Sequence, residues 1–121
     1  MSELSALLQN PQVYYLNQVV IEDVVAQLRK DLDTIELEVV WEVGETPYQS
    51  VYKALFPVVD YLMEKNPERL FQLFYRIDIP EHIVRNVLLG SVEDLCETYC
   101  DLILNRELQK VIIRRYYAQS L

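Results

Sequence analysis

Two glycines in 121 residues constrain this chain more than any other feature. Glycine supplies the positive-φ turns of tight hairpins and the close backbone approaches of phosphate-cradling loops. Neither Gly44 nor Gly90 has a second glycine nearby. A P-loop, a dinucleotide fingerprint and a sheet with many tight hairpins are therefore poorly supported, which leaves a mostly helical chain. Hydrophobic residues make up 51% and charged residues 25%, enough apolar material for a core. The length is that of one ordinary domain, expected over residues 1–121.

Helix start signals recur along the chain. Thr46-Pro47-Tyr48-Gln49 offers a capping threonine, proline at the first helical position and glutamine three residues after the cap. Asn66-Pro67 repeats the cap and proline, and Asn10-Pro11 is a weaker version. Asp78 and Ser91 each stand three residues before a carboxylate and are expected to cap the helices that follow them. Apolar spacing supports each start. From Pro11, residues Val13, Leu16, Val20, Val24, Leu28 and Leu32 follow helical steps. From Pro47, residues Val51, Leu55, Val59 and Leu62 do the same, with Pro57 inside the run. Leu70, Leu73, Phe74 and Ile77 mark a short third helix, and Ile79, Ile83, Val84, Val87 and Leu88 a fourth, with Gly90 expected as a left-handed C-cap. The last helix carries Leu95, Cys96, Tyr99, Leu102 and Ile103, then shifts to Leu104, Leu108, Val111 and Ile112, so its tail is expected to project and pack against something else.

One stretch resists a helical reading. Residues 34–43 alternate Ile35, Leu37, Val39, Trp41 and Val43 against Glu36, Glu38 and Glu42, the period of a half-buried strand. Helical spacing also fits Leu32, Ile35, Val39 and Val43, so periodicity alone does not decide. No second strand exists to satisfy its backbone, and an extended or irregular connection is favoured, with self-pairing across a dimer axis as a further option. The fold expected is therefore an all-α single domain, a compact bundle of about five helices with one irregular segment near residues 34–45.

The net charge of −8 lies in the front half: residues 1–64 hold eleven acids and three bases, residues 65–121 eight of each. Binding to nucleic acid or to an anionic membrane relies on neutralising phosphate and is disfavoured by this balance. An acidic front suits a basic partner, although solubility alone also accounts for it. No stretch approaches the roughly 20 apolar residues of a spanning helix, and residues 1–10 lack the pattern of a signal peptide. A cytoplasmic protein is expected. Cys96 and Cys100, four apart, fit neither a disulfide framework nor a redox pair and read as reduced core thiols.

Sites of chemistry are sparse. His82 is the only histidine and has no partner at metal-ligand spacing. Glu93, Glu97 and Asp101 form an acidic ladder at steps of four, but a rigid helix face does not wrap a cation. No nucleophile, base and orienting group can be grouped by spacing, so a noncatalytic chain without metal or cofactor is expected. Tyr75, Arg76 and Asp78 could line a small anion site, with Arg106, which falls where the last stripe calls for an apolar residue, reaching inward toward them. Arg106, Lys110, Arg114 and Arg115, followed by Tyr116 and Tyr117, form the one basic and aromatic cluster. Its basic residues complement the dipole at a helix end, and its tyrosines suit a protein contact better than stacked bases. Tyr14 and Tyr15 form a second adjacent pair near the other terminus, so an exposed aromatic patch near the termini is expected.

Residues 70–78 (Leu-Phe-Gln-Leu-Phe-Tyr-Arg-Ile-Asp) and 106–111 (Arg-Glu-Leu-Gln-Lys-Val) resemble runs in small all-helical bacterial proteins that have no assigned biochemical role. The resemblance covers the carboxyl half and implies a compact helical bacterial domain of the cytoplasm. It carries no activity. The functional expectation is a noncatalytic protein-protein interaction module that self-associates through Tyr116 and Tyr117, with Trp41 and Val43 as a second anchor. The alternative is a small-ligand or anion-binding protein with a pocket near Tyr75, Arg76 and Arg106.

Overall fold

Local signals set most of the helix boundaries. A computed structural model describes residues 3–90 and 94–120. Among them are six α-helices and one short 3₁₀ turn, and no strand: α1 (Glu3–Gln9), the turn Pro11–Tyr14, α2 (Gln18–Leu32), α3 (Pro47–Lys65), α4 (Pro67–Ile77), α5 (Glu81–Leu89) and α6 (Leu95–Ser120). The fold is all-α, as composition and periodicity require. Helix α1 is an addition to the five expected.

The capping box at Thr46 forms in full: its hydroxyl accepts from the Gln49 amide, and the Gln49 side chain accepts from the Thr46 amide. Asn66 likewise accepts from the Arg69 amide at 3.1 Å. The start at Pro11 is different. Proline there opens only a 3₁₀ turn, and the true cap of α2 is Asn17, whose side chain accepts from the Val20 amide. The stripe that begins at Val13 is therefore broken. Val13 and Leu16 are exposed, and only from Val20 onward does the face enter the core.

Two helix ends also differ from expectation. Asp78 caps the end of α4 in a left-handed conformation (φ 68°) instead of starting α5, whose cap is Pro80 with no side-chain bond. A short polar side chain tolerates positive φ better than most, which lets Asp78 serve where glycine is usual. Gly90 ends α5 in an extended conformation (φ −75°, ψ 150°) and is not a left-handed cap. The other glycine does use its freedom: Gly44 sits at φ 92° in the turn that leads into Thr46. Residues 36–42 adopt neither helix nor strand, and only Leu37 of this stretch is fully buried. The expected cap Ser91 and the first rung of the acidic ladder, Glu93, lie outside the described residues.

Helix α6 organises the core. It packs chiefly against α2 and α3, with α1, α4 and α5 making smaller contacts. Buried residues come in pairs at steps of four along it: Tyr99 and Cys100, Ile103 and Leu104, Glu107 and Leu108, Val111 and Ile112. A helix covered on two sides needs a double stripe, which is why its apolar face seems to drift in sequence. The tail stays packed through Ile112 and does not project there. Each fully buried leucine, such as Leu28, Leu55 or Leu104, contributes roughly 1.5–3 kcal/mol relative to exposure.

Candidate interaction surface

The last three basic residues of α6 face α2. Lys110 Nζ lies 3.4 Å from Asp31, Arg114 donates to the Gln27 side chain at 3.1 Å, and Arg115 donates to Asp23 from Nε at 2.8 Å and also from Nη2. As numbers rise along α6 they fall along α2, so the helices run antiparallel. The start of α2 thereby meets the end of α6. Tyr116 and Arg115 line a depression of about 390 Å³ together with Tyr14, Asn17, Val20 and Ile112. The sequence neighbours of four lining residues, Val13, Leu16, Val19 and Tyr117, are each more than half exposed. The Tyr116 and Tyr117 rings meet edge to face at 5.5 Å, with Tyr116 half-buried and Tyr117 outward.

The other tyrosine pair has a different role. Tyr15 stacks on Tyr48 with ring centroids 3.8 Å apart and donates its hydroxyl to Asn105 at 2.8 Å. Tyr48 donates to Asp101 at 2.8 Å, and its amide bonds the Tyr15 carbonyl. Burial, followed by the Asp101 carboxylate, pushes the Tyr48 phenol well above its usual range. Tyr14 and Tyr15 are half-buried: Tyr15 ties the approach to α2 to α3 and α6, while Tyr14 lines the depression with Tyr116, so neither is the fully exposed aromatic residue expected.

Trp41 and Val43 are exposed on the irregular segment. That segment is tied to α2 by the Arg29 side chain, which donates to the Leu37 carbonyl, and to α3 by Lys53, which pairs with Glu42 and Glu45. Neither Trp41 nor Val43 lines the depression that holds Tyr116.

The three residues expected around an anion pocket line different depressions, of which those of Tyr75 and Arg106 share Asp78, Ile79 and Pro80 as a wall. Tyr75 lines an apolar groove of about 650 Å³ between α4 and α5 with Phe71, Phe74, Ile79 and Val84. Arg76 lines a cavity of about 190 Å³ and pairs with Asp33 at 3.6 Å. Arg106 lines a third, of about 340 Å³, and its Nε donates to the main-chain carbonyl of Asp78, not to its carboxylate. His82, Glu97 and Asp101 are exposed. Among the described residues no group of three or more histidine, cysteine or acidic side chains could hold a metal ion, and no helix is long and apolar enough to cross a membrane. Cys96 and Cys100 are free thiols, and burial raises both above the usual thiol range.

The buried carboxyl group of α6 is Glu107, which sequence periodicity does not single out. It is 0% exposed. Lys110 Nζ is 3.1 Å from its Oε1, although neither carboxyl oxygen has an aligned hydrogen bond. Burial and the adjoining Asp31 carboxylate push its pKa up to about 8, with Lys110 pulling the other way. Burial also acts to raise Asp31, but its contacts with Glu107, Gln27 and Lys110 outweigh this and hold its pKa below the ordinary value. The signal was present in sequence: Glu107 lies four residues after Ile103 and four before Val111, both core residues. Arg106, one position away, is only half-buried. Compared with protein-family models, curated proteins and solved structures, the chain matches none.

Proposed function

We propose that this chain is a noncatalytic interaction module that binds a second copy of itself through the end of the bundle where α2 begins and α6 ends. The observation that carries this reading is that Val13, Leu16, Val19 and Tyr117, each next in sequence to a residue lining the depression, are all more than half exposed on the two segments that meet there. Scattered exposed apolar residues are ordinary on a protein surface, whereas apolar residues concentrated on two segments that meet at one end of the bundle suit a contact. Tyrosine suits such a place because its ring is apolar and its hydroxyl tolerates water. Trp41 and Val43, on a different element, serve as a second anchor.

A pocket that uses Tyr75, Arg76 and Arg106 together has less support, since the three line separate depressions. Sedimentation velocity of the wild type, Tyr117→Ala and Leu16→Ser tests the reading. The wild type is expected to be dimeric at micromolar concentration, and each substitution to weaken the dimer by about 2 kcal/mol, the loss typical of a central contact residue. Trp41→Ala is expected to have a smaller effect. A wild type that stays monomeric, or a Tyr117→Ala variant as dimeric as the wild type, overturns the assignment.

A further inference from the structure

Neither helix packing nor the proposed contact accounts for Glu107. Its surroundings are charged from two helices: Asp31 from α2 and Lys110 from α6 itself, both largely buried. Two acids and one base, all ionised, would leave a net negative charge in the core, which burial strongly disfavours. Neither Glu107 oxygen has a hydrogen-bond partner, which would leave an ionised carboxylate unsatisfied in the core and favours the neutral acid. Lys110 Nζ, 3.4 Å from Asp31 and 3.1 Å from Glu107, brings the two carboxyls to one place. The remaining charged groups nearby are engaged elsewhere. Helix α4 faces Asp31 with Arg69 and Arg76 across the cavity of about 190 Å³, but Arg69 donates to Thr34 and Arg76 pairs with Asp33. Helix α3 contributes Leu62 to that wall. Arg114 reaches the cluster only through Gln27, which donates to Asp31.

We propose that Asp31 and Glu107 hold one proton between them across the contact of α2 with α6, and that its loss at alkaline pH loosens the two helices and weakens self-association at their common end. The second half of this proposal rests on the self-association reading, because Val19 at the start of α2 and Tyr117 at the end of α6 both belong to that surface. The sign follows from which state keeps the proton. Glu107 moves from 4.5 up to about 8 in the fold, so the folded chain holds a proton that the unfolded chain has released. The stabilisation is complete below the unfolded value and is lost as pH rises through the folded one. Asp31 moves the other way from 3.8. Its stabilisation is present above its unfolded value and is lost only under acid conditions, which leaves the alkaline side to Glu107.

The test follows melting temperature and dimer dissociation from about pH 6 to about pH 9 in the wild type and in Glu107→Gln, which keeps the shape and a donor but has no proton to release. Carboxyl carbon NMR of the wild type over the same range reports the proton directly, whether or not the variant folds. The expected result is a carboxyl that titrates in that range, a melting temperature that falls with it, and a dimer at least about tenfold weaker at the alkaline end; both trends flatten in Glu107→Gln. Absence of a titrating carboxyl, or an equal pH slope in Glu107→Gln, overturns the shared proton. A dimer indifferent to pH while the carboxyl titrates overturns its link to association. A wild type that is monomeric at every pH while the carboxyl titrates overturns the self-association reading, and the link with it, but leaves the shared proton standing.

Discussion

Lys110 with Asp31 and Glu107, and Arg115 with Asp23, join the same two helices, yet the first cluster is nearly dry and the second stands at the rim. The side chains of the inner group are 20%, 9% and 0% exposed, and those of the outer pair 37% and 43%. Coulomb attraction is similar in kind at both places, but water competes for it only at the rim. The inner charges must find each other or be neutralised, so each depends on the next. The outer pair can trade its partner for water at little cost. Similar ion pairs on one helix therefore carry unequal weight, and position decides which matters.

The largest effect expected from breaking this contrast is Lys110→Met. It removes the one cation that reaches both inner carboxyls and leaves a methylene stem of similar length in place. Breaking a buried charge group by removing one partner costs about 3–5 kcal/mol, which urea unfolding near neutral pH would measure. The loss is expected to grow at alkaline pH. The wild-type Glu107 gives up its proton near its pKa of about 8 beside Lys110, whereas in the variant, without that lysine, the proton is held to higher pH and its release leaves both carboxyls charged with no cation beside them. A loss below about 1 kcal/mol would place the inner group on the same footing as an exposed pair.

How much of this was legible in the chain depended on range. The caps at Thr46 and Asn66 were readable because donor and acceptor lie three residues apart, so the chemistry sits inside a short window. Val13 and Leu16 look like part of the buried stripe because their spacing fits a helix, but Asn17, which caps α2 after them, is the punctuation mark that breaks it. Asp78 has the signature of a helix start and acts as a stop, since the same short polar side chain suits either role. Glu107 escaped because the double stripe of α6 looks like a drift until both covering helices are known. The surface around Tyr117 joins segments about one hundred residues apart. No local pattern encodes that distance; only the antiparallel register of α2 and α6 brings those segments together.

A second buried polar group sharpens the comparison from the opposite side. Tyr99 is 2% exposed, packs against Phe74 with ring centroids 4.8 Å apart, and its hydroxyl has no hydrogen-bond partner. Unlike Glu107, it has no charge beside it to justify its polarity. Tyr99→Phe removes the stranded hydroxyl and keeps the ring, so stability is expected to rise by about 1 kcal/mol, the lower end of the penalty for an unmet buried donor. Thermal unfolding of the single variant checks it. A loss of stability of that size would show that the hydroxyl has a bound water or other partner, and that polar groups in this core are satisfied more generally than Glu107 suggests.

The smallest effect should come from the rim. Arg115→Ala removes both hydrogen bonds to Asp23, but the freed carboxylate is already 43% exposed and hydrates in place. The expected loss is about 0.2–1 kcal/mol, shrinking further as salt is raised. Salt is what separates this outcome from the inner group, because screening acts through solvent and barely reaches Lys110. Measured side by side in low and high salt, Arg115→Ala should converge on the wild type while Lys110→Met stays apart. Should Arg115→Ala instead lose several kcal/mol with no salt dependence, the arginine would be acting through the packing of its stem over Ile112 and Tyr116, with which it shares one depression. The end of α6 would then be held by apolar contact, as the proposed dimer surface is, and not by charge.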